Sequence, residues 1–444
     1  MILNSKIQVK IFSSLLLLLP VLLITGPFLS DLVISILALY SIFHVLKKRD
    51  FKIFKNKIIL ILIFFWLYLI INSYLTKSYG YNAKNVIFYF RFIFFVIAIL
   101  ILIKKNNLNK RFYQSLTIVL YILIIDGFIQ FVFGKNILGY EMFCVRDCSE
   151  LSMKSMRITG LLDKPIIGSY IMKLLPIVFG LFFFLKDREI LSEPVVLFLM
   201  IISGLVIYAS GERTSFIHFL LFLTILLIYS FYSFRKKIVI ISLFTFLIFV
   251  LSFFYPSTKF RMIDFTLMQT GLYVVDSSTN SNNDKKIIIQ ESINVDKKES
   301  GKNIFVFSYH HDSHISTALK VFKNSPLIGN GVKSFRFECK KFQVNEHSCT
   351  THPHNVLIQI LSELGIIGLI FYFILYFYLI KFFVLKLLAK IKKNIDLSSV
   401  FFASSVLINT FPLTPSGNIF NNWLSIMFFL PIGFLIYSIE KSKI

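Results

Sequence analysis

Apolar residues in this chain run in blocks of about twenty, separated by short polar stretches in which Lys and Arg collect. A block of that length crosses ~30 Å of hydrocarbon as a helix rising ~1.5 Å per residue. Alternating apolar and polar positions, the mark of a transmembrane β-barrel, are missing. The pattern predicts an all-α integral membrane protein of about twelve transmembrane helices. Their approximate extents are 11–28, 30–46, 58–75, 84–103, 111–134, 166–185, 193–211, 213–231, 236–254, 364–386, 397–411 and 420–439. Gly26 and Pro27 mark either a turn between the first two or a kink in one longer segment. Nothing after the first block resembles a signal-peptidase site, so it is read as a retained helix.

Composition agrees. Of 444 residues, 56% are hydrophobic and 17% aromatic, while 16% are charged, against roughly 25% in soluble domains. Disorder and a disulfide-stapled secreted mini-domain are excluded on those grounds. The net charge of +24 suggests nucleic acid until the cations are placed. With both termini inside, 24 Lys and Arg fall in the cytoplasmic segments and eight in the short outer loops, so the basic balance reads as the positive-inside rule. Three regions follow: helices one to nine over 1–254 with an outer loop at 135–165, a large periplasmic loop at 255–351, and the remaining helices over 352–444.

The large loop is too long for a simple connection and is read as functional. Its middle, Asp276 to Asn303, is polar and expected to fray. Ala318, Leu319, Val321 and Phe322, followed by Pro326 and Gly329, predict an amphipathic helix and then a turn. All four cysteines, Cys144, Cys148, Cys339 and Cys349, lie in the two outer loops, and bacterial periplasm is oxidising. Of three connectivities, pairing Cys339 with Cys349 is favoured as a structural disulfide. The competing reading is zinc held by Cys339, His347, Cys349, His352 and His354, but the spacing matches no common structural pattern. No metal or other cofactor is expected.

Six of eight histidines, His310, His311, His314, His347, His352 and His354, lie within 45 residues on the outer side. His354 and Asn355 precede a helical run, where a helix N-terminus disfavours the imidazolium and leaves the neutral ring a general base requires. Arg91 and Lys173 lie inside predicted spans, where charge is expensive and usually functional. Arg213 opens the eighth span after the turn Ser210-Gly211-Glu212, and Arg157 ends the smaller outer loop. One reading pairs Asp126 with Arg91 and lets Lys173 snorkel outward. The other is a site for an anionic lipid headgroup, most naturally a diphosphate, at the outer face.

The segment THPHNVLIQILSELGIIG, in which His354-Asn355 is followed by Gly365-Ile366-Ile367-Gly368, closely resembles the signature of the bacterial O-antigen ligase and polymerase superfamily. The Gly-Glu-Arg-Thr-Ser turn at Arg213 and Pro326-Leu-Ile-Gly-Asn-Gly with Phe335 after it agree in order. By motif the resemblance spans roughly residues 150–385.

It implies an inner-membrane enzyme with its active site facing the periplasm, an inverting, metal-independent glycosyltransferase. A glycan would move from undecaprenyl diphosphate to a sugar hydroxyl, of lipid A core in a ligase or of a carrier-linked glycan in a polymerase. On that implication His354 deprotonates the acceptor. Arg213 clamps the diphosphate, and Arg157, Arg91, Lys173, Arg261, His311, His314 and Asn355 are candidate substrate contacts. Family members often place a second arginine some fifteen residues before the Pro-Leu-x-Gly turn, where this chain has His310, His311 and His314. Arg261 or Arg336 could replace it, or the histidines could when protonated, which would make activity rise as pH falls toward ~6.5. The ligase is favoured over the polymerase. A lipid-linked oligosaccharide flippase ranks behind both, since neither internal repeats nor broken midplane helices are legible.

Overall fold

The computed structural model describes residues 5–76, 86–106, 108–144, 156–185, 193–264, 266–267, 308–392 and 395–442. Lys77, Lys84, Arg146, Cys148, Lys154 and the segment Asp276 to Asn303 lie outside these. The chain is mostly helical, with fifteen α-helices among the described residues, one of them the single turn Pro256–Lys259, which is left unlabelled. Each apolar block forms one: α1 Ser5–Leu22, α2 Pro27–Lys48, α3 Lys57–Leu75, α4 Phe90–Asn106, α5 Asn109–Phe133, α6 Ile167–Leu185, α7 Glu193–Ala209, α8 Arg213–Tyr229 and α9 Phe234–Phe254. Further along the chain come α10 Tyr309–Asn324 and α11 Phe335–Phe342, then α12 Val356–Ile391, α13 Leu397–Asn409 and α14 Asn422–Lys441. Among the described residues, seven of these helices are long and apolar enough to cross a membrane, and three shorter ones are equally apolar.

The first two blocks are separate helices. Gly26 takes a positive φ of 122° and Pro27 opens α2, where its fixed φ and missing N–H fit the first turn. Asn56 caps α3 by accepting from the Ile58 N–H, and Asp396 caps α13 by accepting from Ser398, so polar residues placed just before apolar blocks set where the helices begin. α13 packs on α6 and α14, with Phe401 5.9 Å from Phe179 and Phe402 stacked 5.4 Å from Phe434. α9 and α12 instead turn Phe246, Phe249, Phe253, Phe373 and Phe377 outward. Exposed aromatics in such number face lipid rather than water.

Among the described residues one strand pair, β1 Phe143–Cys144 with β2 Met156–Arg157, is antiparallel and sits in the connection between α5 and α6. The long α12 differs from the block 364–386 expected of it. Asn355 caps it at Val356, and Gly365, at φ 65° and ψ −162°, breaks it nine residues later. Its first segment therefore belongs with the outer loop rather than with the span. The turn 326–331 docks on that break. The Ile366 N–H donates to the Pro326 carbonyl (2.9 Å), and the Gly331 N–H donates to that of Glu363 (2.8 Å). From α3, Tyr68 donates to the Leu364 carbonyl and Asn72 to that of Ile328. Backbone groups freed by the break are thus paired, as a buried kink demands.

Candidate functional site

Two charged constructions meet at the outer end of the bundle. The first surrounds the turn Ser210-Gly211-Glu212 between α7 and α8. Gly211 has a φ of 69°, and the Arg261 side chain lies where a Cβ at Gly211 would stand. The carbonyls exposed by the turn are gripped by arginines. Arg157 Nε, carried on β2, donates to the Ser210 oxygen (3.3 Å), and Arg261 Nε donates to that of Gly211 (3.1 Å). Arg213, the first residue of α8, contacts the Thr266 hydroxyl at 3.4 Å and lies within electrostatic reach of Arg157. Between them Glu212 is buried and caps α6, accepting from the N–H groups of Gly168 (2.6 Å) and Ser169 (3.1 Å) and from both the Ser169 and Ser215 hydroxyls. A carboxylate at a helix N-terminus is electrostatically favoured. Three guanidinium groups therefore share one neighbourhood with the fully engaged carboxylate of Glu212.

The second construction is a histidine cluster. His354 occupies left-handed backbone at φ 57°, a conformation that a non-glycine residue holds only when its surroundings impose it. Those surroundings are the loop 410–421. The Ser416 N–H donates to the His354 carbonyl (2.8 Å), while Asn355 donates to the carbonyls of Pro412 (2.7 Å) and Thr414 (3.3 Å) and accepts from Ile358 to cap α12. Around the ring stand His352, His314 and His311, with centroids 4.0, 5.2 and 5.4 Å away. His311 and His314 come from α10, which the Cys339–Cys349 disulfide (Cα–Cα 5.3 Å) ties down through the small core of Ala318, Val321 and Phe335. Those two sulfurs, bonded to each other, offer no thiolate to a metal. Cys144 is also disulfide-bonded.

The clusters are neighbours, since the charge on Arg213 acts on His311. Burial, followed by mutual repulsion, holds every inner imidazole below its ordinary range: His311 and His352 to about 4, His354 to about 3, and His314 in the same direction. Burial and neighbouring cations oppose protonation of these rings near pH 6.5, which disfavours protonated histidines in place of the second arginine. Arg261 is brought to the Gly211 carbonyl, at the turn from which α8 and Arg213 start. The transfer rate is accordingly expected not to rise between pH 8 and 6.5. Stability is expected to fall as pH drops below ~6.5, since unfolded imidazoles then bind protons that folded ones refuse, by about 1 kcal/mol per buried ring at pH 5.5. Melting curves and initial rates at pH 7.5 and 5.5 check both signs. A rate that climbs on acidification with an unchanged melting midpoint would contradict them.

Two of the sequence candidates are engaged elsewhere. Arg91 pairs with Asp31 (2.9 Å) and donates to Asn422 (3.0 Å). Its pairing with Asp126 does not occur, because Asp126 accepts from the Ile137 N–H at 2.9 Å. Lys173 is half-buried in α6 and donates to Asn409 (2.9 Å) rather than snorkelling. It lies near His218, which meets the Thr414 hydroxyl at 2.8 Å beneath the 410–421 loop. That loop was missed in the sequence. Its signal was Pro412, Pro415 and Gly417 in a connection that only seemed to join two spans.

An apolar cavity of about 260 Å³ lies between α5, α7 and α9, lined by Gly127, Phe131, Ile158, Phe198, Val206 and Ala209 among others. Two of its lining residues adjoin the arginine construction in sequence, Ile158 following Arg157 and Ala209 preceding the arginine-bound turn.

Comparison with curated proteins gave no match. Residues 198–373, which carry α8, the arginine turn, the outer helices and the His354-Asn355 motif, match the family model described as O-antigen ligase. Over residues 198–373 the chain is therefore similar to an O-antigen ligase domain, in a protein with several helices apolar and long enough to cross a membrane.

Proposed function

We propose that this protein is an O-antigen ligase-type glycosyltransferase of the inner membrane, moving a glycan from undecaprenyl diphosphate to a sugar hydroxyl of lipid A core at the periplasmic face. The observation that carries this reading is that an unengaged His354 ring sits in a cluster next to the arginine-bound turn, Arg213 acting on His311, whose ring centroid is 5.4 Å from that of His354. Among the described residues no side chain hydrogen-bonds the His354 ring nitrogens.

The diphosphate is already a good leaving group, so the reaction needs charge stabilisation and one base, and no resident cofactor. The arginines stabilise the negative charge that grows on the diphosphate as the glycosidic C1–O bond breaks. His354 takes the acceptor proton while the new C1–O bond forms on the opposite side of the sugar, which inverts the anomeric carbon. A ring with so low a pKa is neutral but weakly basic. A diphosphate bound nearby raises that pKa, so the base strengthens when the donor arrives. The apolar cavity between α5, α7 and α9 suits an isoprenoid tail, which has no polar group to satisfy.

Transfer from undecaprenyl-diphosphate glycan in proteoliposomes, with lipid A core and carrier-linked glycan offered in parallel, tests the reading. Product on lipid A core is expected. A ladder of carrier-linked product would make the protein a polymerase, and movement of donor across the bilayer with no transfer would make it a flippase. Arg213→Lys is expected to lose on the order of 10²-fold in rate, because a point charge does not replace a planar fork that binds two oxygens. Wild-type turnover in that variant would reduce Arg213 to charge balance.

A further inference from the structure

The base must lose the proton it gains before the next turnover, and the cluster around it is not uniform. The two ring nitrogens of His352 are occupied, Nδ1 facing the Thr351 hydroxyl (3.0 Å) and Nε2 the Ser416 carbonyl (3.1 Å). His311 Nδ1 faces the Ser308 hydroxyl at 2.7 Å. His314 differs. It is 5% exposed, and its buried Nδ1 has no hydrogen-bond partner among the described residues, while its ring also hydrogen-bonds the Ser348 backbone. A ring donating to that carbonyl has one N–H and leaves Nδ1 as a bare acceptor. A buried acceptor without a donor is expensive, and such an atom persists where a donor arrives during function.

The donor at hand is His354. Its ring is stacked on that of His314, with centroids 5.2 Å apart and planes inclined by 30°, near enough for an N–H of His354 to reach Nδ1 once the ring turns out of the stack. On the other side of His314, His310 and His347 lie 5.1 Å apart, act electrostatically on His314, and are exposed, with Glu346 3.4 Å from His347. The loop bearing His347 is fixed to α10, since Asn345 donates to Ser313 (2.8 Å) and the Val344 N–H to Thr317 (3.3 Å).

We propose that His314 is a proton-relay residue, which takes from His354 the proton abstracted from the acceptor hydroxyl and passes it by way of His310 and His347 to water. The inference rests on the reading of His354 as the base. In balance, the acceptor O–H proton moves to His354 as the acceptor oxygen bonds C1, and the electron pair of the broken C1–O bond leaves with the diphosphate. The imidazolium of His354 then gives its proton to His314 Nδ1, and the proton on the other His314 nitrogen departs outward. His354 returns to neutral with no change of redox state. The charges facing this path are Arg213 on the His311 side and Arg336 on the His352 side, with Glu346 at the exit. Cations at the inner end and an acid at the outer end bias the proton outward.

His314→Gln keeps a donor for Ser348 but cannot carry a proton through. Steady-state transfer over many turnovers is measured in proteoliposomes with undecaprenyl-diphosphate oligosaccharide extracted from the expressing cells, with and without free imidazole. The expected result is a loss of roughly ten-fold or more in rate at unchanged KM for the donor, largely restored by imidazole. A wild-type rate overturns the relay, and so does a loss that imidazole does not restore, which marks a structural role. Wild type supplies a test independent of folding. A relay moves more than one proton and gives a bowed rate dependence on deuterium fraction in mixed H₂O and D₂O, whereas a straight line overturns it. Activity in His354→Ala would remove the base itself, and is thereby distinguishable from failure at His314 alone.

Discussion

His354→Ala is expected to lower transfer by roughly 10²- to 10⁴-fold, the usual contribution of a positioned acid or base, while the protein remains inserted and folded. The separation of chemistry from structure follows from how the residue is held. What fixes this stretch is main chain and Asn355: the Ser416 N–H grips the His354 carbonyl, and Asn355 grips the carbonyls of Pro412 and Thr414. None of these contacts uses the imidazole. Alanine at φ 57° carries a strain comparable to that of histidine, on the order of 1 kcal/mol. Melting in detergent should therefore move little while glycan transfer collapses. A variant that transfers at the wild-type rate would sink the base assignment, and one that fails to fold would show that the ring stack itself supports the lobe.

Gly365→Ala is expected to do the reverse and act first on structure. Gly365 sits at φ 65° facing the turn 326–331. A Cβ there would stand 2.5 Å from the Gly329 nitrogen and 2.5 Å from the Leu327 oxygen. Both are backbone atoms, so no rotamer change relieves the contact. Gly329, at φ 72°, presents the same difficulty toward the backbone of Glu363. The substitution must separate the turn from the broken helix and give up the Ile366–Pro326 and Gly331–Glu363 hydrogen bonds, a loss on the order of several kcal/mol. α10 is joined directly to that turn and carries His311 and His314, so transfer should fall with stability. Thermal melting together with limited proteolysis of the 308–351 lobe provides the check, and a wild-type midpoint would show that the two backbones are not in contact.

These cases show why some of the motif residues could be understood from sequence and others could not. His354 was legible because an imidazole before an N-capping asparagine has one obvious electrostatic consequence, and Arg213 because a cation at a span boundary is expensive. Gly365 and Gly329 were visible only as letters in a familiar signature. Their reason is a close approach between two backbones 36 residues apart in sequence, which no local pattern encodes. The pairing of Arg91 was misjudged for a related reason. Asp31 and Asp126 are both acids in or beside apolar helices, and only packing decides which of them faces Arg91.

Taken alone, the sequence determined what depends on composition and local periodicity. Twenty-residue apolar blocks must form helices in lipid because every backbone group there needs an internal partner, and polar caps and turn residues set where those helices begin. It also identified the residue types that diphosphate chemistry requires. Tertiary structure alone decided which of the many cations converge. Arg157, Arg213 and Arg261 lie on a strand, a helix start and a short π-helical turn spread over more than a hundred residues, and they meet because the Ser210–Glu212 turn offers its carbonyls to two of them. It also decided which histidine keeps a bare nitrogen, since hydrogen-bond satisfaction depends on neighbours in space and not on neighbours in the chain.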